Sequence, residues 1–113
     1  MQDNKFQQLM NNTKWNEIRK AMIEYDGTTH WRTKDIEKGF VSDWDGDWFY
    51  HFKTNGTSED YKYIEWLEIK VPSLKMKNDV LNIFKNINVP GEIFEDVIRV
   101  YGYCQLGKFI QYL

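Results

Sequence analysis

Asp43, Asp45 and Asp47 stand at alternate positions around Trp44 and Gly46, which offers three carboxylates to one cation. A helix-loop-helix calcium loop, however, wants its glycine sixth and a bidentate Glu twelfth. Here the glycine is fourth and the twelfth residue is Thr54, so the run reads as a turn with solvated acids. Should these acids converge with Glu59, Asp60, Glu65 or Glu68, they would form an anionic patch for a cationic partner. Zinc would need His30 and His51 to meet in space with Asp, Glu or Cys104, because neither imidazole sits in a local ligand motif. Cys104, His51 and an Asp could compose a nucleophilic group, but no local signature supports it, and a lone Cys on a strand reads as a small buried hydrophobe. Glu65 and Glu68, three apart on a strand, point to opposite faces, which argues against paired acid-base work. Gly102 and Gly107 lack the Lys-Ser/Thr that completes a phosphate loop. The sequence therefore assigns no catalytic residue, no metal and no cofactor.

Binding chemistry is better represented. Trp31-Arg32-Thr33-Lys34 alternates aromatic and cationic groups, the elements of a single-stranded nucleic-acid surface. Against that reading, 15 Lys and Arg face 17 Asp and Glu, a net charge of -2 with no basic field to follow a phosphate backbone. Aromatic side chains ringed by charge fit a protein-binding patch instead, in which Trp, Tyr and Arg carry most of the energy. The expected contact residues are Trp31, Arg32, Asp45, Asp47, Trp48, Glu65, Trp66 and Glu68. The alternative is a ligand-binding or enzymatic pocket between sheet and helices, lined by Tyr50, His51, Tyr101 and Tyr103.

These groups must be carried by one domain, since the chain has 113 residues. Five Trp, seven Tyr and seven Phe let a small core bury much area from few side chains, and a single Cys excludes an intrachain disulfide. No apolar run reaches the length of a membrane span, and Met1-Gln2-Asp3-Asn4-Lys5 lacks a signal peptide's apolar core, so a cytoplasmic protein is expected.

Trp15, Ile18, Met22 and Tyr25 recur at helical spacing and predict a helix over 11–25, capped by Asn12 or Thr13 and ended near Gly27. Residues 1–11 read as a frayed extension or a separate turn. Short strands are predicted over 31–34 and 40–44, then an Asp45-Gly46 hairpin turn with a return strand over 48–53. Residues 54–60 read as a mobile connection. The longest strand is predicted over 61–71; Ile64 and Trp66 share one parity while Leu67, Ile69 and Val71 share the other, which either a central position in the sheet or a bulge near Glu65 explains. Ser73 caps a second helix with Leu74, Lys77, Val80, Leu81, Phe84 and Ile87 on or beside one stripe. Val89-Pro90-Gly91 reads as a turn, 92–94 and 97–103 as strands, and 108–113 as a final edge strand. The order implies an α+β fold, a mostly antiparallel sheet of about five to six strands with two helices packed on one face.

The runs Asn12-Thr13-Lys14-Trp15, Trp31-Arg32-Thr33-Lys34, Trp44 to Phe52, Ile64 to Ile69, Val89-Pro90-Gly91-Glu92 and Tyr101-Gly102-Tyr103 resemble a small family of bacterial proteins built on a domain of unknown function. That resemblance spans nearly the whole chain from Asn12 and implies a free-standing bacterial cytoplasmic protein. It supplies no functional residues. In size and acidity, though in no motif, the chain also looks like the immunity proteins that neutralise bacterial toxins. A non-enzymatic protein-binding domain of that inhibitor type is therefore the expected function, with no membrane or nucleic-acid partner.

Overall fold

The computed structural model describes residues 5–52 and 61–113. Its elements are β1 (Phe6–Gln8), α1 (Asn12–Glu24), β2 (Trp31–Asp35), β3 (Ile64–Lys70), α2 (Leu74–Ile87), β4 (Gly91–Ile93), β5 (Val97–Tyr101) and β6 (Tyr103–Gln105). Four strands form an antiparallel sheet in the order β2-β3-β5-β4, and β1 pairs with β6 in a second, two-stranded sheet. The fold is the expected α+β type.

Helix α1 forms where the periodicity places it and buries Trp15, Ile18 and Met22. Its cap is Asn11, one residue before the expected pair, with the side chain accepting from Lys14 N at 2.8 Å. Ser73 caps α2 as expected, accepting from Met76 N at 3.1 Å, and Asn88 closes it in the left-handed conformation. Val80 and Phe84 are buried on α2, whereas Leu74, at its first turn, is exposed. Both helices pack on the sheet face that carries Trp31, Leu67, Ile69, Ile98 and Val100. The β2-β3 ladder passes from Lys34↔Trp66 to Asp35↔Ile64 and leaves Glu65 over as a bulge, and β3 also lies inside the sheet, so both explanations of the parity conflict apply. Ile64 can thereby join the core while Trp66, two residues on, stays out of it.

Side-chain bonds to the backbone explain where the strand assignments differ. Residues 40–45 run antiparallel to β2 through two isolated bridges, Lys34↔Val41 and Trp31↔Asp45, rather than as a continuous strand. Among the described residues no return strand follows Asp45-Gly46. Instead Asp45 Oδ1 accepts from Asp47 N at 2.8 Å, and Asp47 Oδ1 accepts from Phe49 N and Tyr50 N at 2.9 Å, so local carboxylate bonds hold the chain in bends. Lys53 and the connection over 54–60 lie outside the described residues. The N-terminal segment, read as an extension or turn, forms β1, and the strand expected over 97–103 breaks at Gly102 into β5 and β6. The C-terminal edge strand reduces to one bridge, Pro90↔Tyr112, beside a bond from Leu113 N to Val89 O.

An acidic clasp joins the two helices. Asp79 on α2 accepts from Lys75 Nζ and from Tyr25 OH, both at 2.8 Å. Those hydrogen bonds hold its carboxyl below the ordinary 3.8, against a smaller opposing effect of desolvation. A depressed folded-state pKa stabilises the fold above the unfolded value and loses that contribution as pH falls through the folded one. Asp79→Asn should thus make the acid limb of a denaturant-midpoint-against-pH curve shallower than in the wild type; superimposable limbs would show that the clasp adds nothing.

Candidate functional site

The register that sends Leu67, Ile69, Ile98 and Val100 to the helices sends their neighbours to the opposite face. Across that outer face, Arg32 stands opposite Glu68, Glu68 opposite Arg99, and Arg99 opposite Glu92, while Lys34, Trp66 and Tyr101 form the next row. Both described helices lie on the other side, so this row is where the fold presents functional groups.

Glu68 is 3% exposed although it faces away from the core. Arg32 Nε donates to its Oε1 at 2.8 Å, and Arg99 donates to Oε2 through Nε at 2.9 Å and Nη2 at 2.6 Å. The two guanidinium groups in turn rest on aromatic rings. Arg99 lies 4.5 Å from the Trp66 centroid and 5.2 Å from Phe94; Arg32 lies 4.5 Å from Trp44 and 6.0 Å from Trp66. Lys70 completes the row at 4.6 Å from Trp44. Aromatic and cationic groups therefore alternate across the sheet, each planar guanidinium giving hydrogen bonds at its edge and stacking through its face.

The remaining polar groups fix this arrangement. Arg99 Nη1 donates to Tyr101 OH at 3.1 Å, and Tyr101 donates to Glu92 Oε1 at 2.5 Å. Partial burial works against the charged form of Arg99, but its bonds to Glu68 and Tyr101 outweigh that effect and raise its pKa. Burial, followed by the bond to Glu92, also raises the pKa of Tyr101. Both donors consequently keep their protons at neutral pH. Lys34 pairs with Glu65 at 3.6 Å.

The structure divides the expected contact set. Arg32, Glu65, Trp66 and Glu68 meet on the outer face, where Trp66 and Glu68 are themselves buried under their neighbours, whereas Trp31 and Trp48 are buried on the helix side and belong to the core. Their rings lie 5.1 and 5.0 Å from fully buried Phe52, and Trp48 Nε1 donates to buried Thr29. They anchor the loop and cannot serve as surface contacts. Asp45 and Asp47 hold that same loop and, with His51, make a separate cluster in which His51 Nδ1 lies 2.7 Å from Asp45 Oδ2. The expected convergence with Glu65 and Glu68 is replaced by neutralisation of those two acids by cations.

The pocket grouping divides too. Tyr50 and His51 belong to the exposed loop, Tyr101 to the outer face, and Tyr103 to β6, where its hydroxyl donates to Lys62 O. A depression of about 300 Å³ between α1 and α2 is lined by Glu17, Ala21, Ile83, Asn86 and Ile87, and one of about 230 Å³ beside the loop is lined by Met22, Thr29, Trp48 and Phe49 among others. None of the four residues lines either. Among the described residues no group of His, Cys, Asp and Glu is placed to hold a metal, and no helix is long and apolar enough to cross a membrane.

Trp44, Lys70, Glu92, Phe94 and Arg99 join the outer face without belonging to the expected contact set. Arg99 had a usable signal: Val97 to Tyr101 alternates, so burying Ile98 and Val100 turns Arg99 outward with Tyr101. Trp44 and Lys70 had none, because their proximity depends on the 40–45 segment lying along β2.

This is an α+β protein whose antiparallel sheet carries helices on one face and a ladder of arginine and aromatic groups on the other. The chain belongs to the family of unknown function DUF6678, whose model matches residues 1–107. No curated protein and no solved structure matches it.

Proposed function

We propose that the protein is a non-enzymatic, protein-binding domain that engages its partner through the outer face of the sheet. The observation that carries this reading is that Trp44, Arg32, Arg99 and Phe94 stand in one row over buried Trp66, with Lys70 at its end, since Trp and Arg are the residue types that dominate binding energy at interfaces. Glu68 fixes both guanidinium groups in advance, which lowers the entropy lost on binding. In its most specific form the reading is that of an immunity-like inhibitor in a bacterial cytoplasm, a small domain laid over a partner's active cleft. Steering by a broad acidic patch is no part of it, since Glu65 and Glu68 are already paired.

The test compares affinity isolation from the native cell by the wild type, by the outer-face variant Phe94→Ser/Lys70→Glu, and by the helix-face variant Ile23→Ser/Glu24→Lys. All four positions are exposed, so folding should survive each change. A stoichiometric partner retained by the helix-face variant and lost by the outer-face variant is the expected result. Equal recovery by all three would overturn the proposal.

A further inference from the structure

Three donors around one indole ring are left over after the outer face has satisfied its own carboxylates. Arg32 uses Nε on Glu68, and its two terminal amines meet no acceptor among the described residues. Lys70 lies over the same Trp44 ring from which Arg32 is 4.5 Å away, and it forms no ion pair with a described carboxylate. The Trp44 indole N–H likewise finds no described acceptor. Elsewhere on this face Lys34 has Glu65, and Arg99 has Glu68 and Tyr101.

Glu68 is divided between Arg32 and Arg99, so Arg32 and Lys70 around one ring carry more positive charge than this face balances, and an oxyanion that accepts from their free donors relieves the excess. We infer that Arg32, Lys70 and Trp44 form a binding site for a carboxylate, supplied by an acidic segment of the protein partner. This deepens the protein-binding reading and rests on it. Charge complementarity sets the occupant: the donor cluster is local, and the neighbouring cations of this face, Lys34 and Arg99, are already paired with Glu65 and Glu68, so no continuous basic track is left to follow the successive phosphates of a nucleic acid.

The probes are hexaglutamate, hexaglutamine and hexathymidylate, titrated at low salt into ¹⁵N-labelled protein while the Trp44 indole N–H and Arg32 Nε–H resonances are followed. Hexaglutamate should shift both saturably, and hexaglutamine should shift neither. Lys70→Gln, a change at an exposed position, should weaken the hexaglutamate effect by about fivefold. Resonances unmoved by hexaglutamate, moved equally by hexaglutamine, or saturated at lower concentration by hexathymidylate would overturn the inference. The two readings can fail separately. A partner that binds Lys70→Gln as tightly as wild type but is lost with Phe94→Ser defeats the carboxylate site and leaves the interaction face intact; a partner indifferent to both defeats the face itself.

Discussion

Glu68→Ala is expected to lower stability by about 3 kcal/mol, because removing the acid strands two guanidinium groups whose Nε and Nη2 donors point at a nearly dry position. Arg32 and Arg99 retain 35% and 26% side-chain exposure, which places the expected loss at the low end of the range for a broken buried ion pair. The converse experiment is sharper. Replacing the whole triad, as Arg32→Met/Glu68→Leu/Arg99→Met, removes the desolvated charges along with their attraction and should bring stability back to within about 1 kcal/mol of wild type. Urea denaturation of the three proteins decides the matter. If the triple variant is as unstable as Glu68→Ala, the triad holds the sheet together; if it recovers stability but no longer binds the partner, the triad exists for recognition.

Gly102→Ala should be more damaging still, by at least about 3 kcal/mol. Gly102 N donates to Glu65 O at 2.8 Å, so the β5-β6 junction lies directly against the bulge in β3. A Cβ at this position would collide with the backbone carbonyl oxygen of Ile64 and press on the Trp15 ring. Neither can yield without opening the central strand or the core. Gly39→Ala provides the control, since φ there is +71° but nothing lies within 4 Å, which limits the cost to about 1 kcal/mol of left-handed strain. Thermal melts of the two variants should separate widely, and similar melting points would contradict the close packing of Gly102 against β3.

Local patterns made much of the fold legible. Trp15, Ile18 and Met22 repeat with the period of a helix, Ser73 caps α2, and the parity conflict between Ile64 and Leu67 marks a strand that is either interior or bulged, and β3 is both. The candidate site was less legible because its members come from separate strands. Arg32, Glu68 and Arg99 meet only through cross-strand register, which no local pattern contains. Trp31 and Trp48 look in sequence like aromatic anchors beside charges. Their burial follows from a loop that curls against α1, tied by Arg19 bonds to Trp48 O and Phe49 O. The alternation over 48–52 suggested a strand, yet Asp45 and Asp47 satisfy the backbone of that segment locally. β1 is three residues of Phe and Gln whose pairing partner lies near the other end of the chain.

The claim that the outer face is the interaction surface is tested most directly by site-specific photocrosslinking in the native cell. A photoreactive phenylalanine analogue replaces Phe94, beside Arg99 on the outer face, or Ile23, exposed on α1. A discrete heavier adduct is expected from position 94 and none from position 23. An adduct formed at position 23 and absent at position 94 would contradict it.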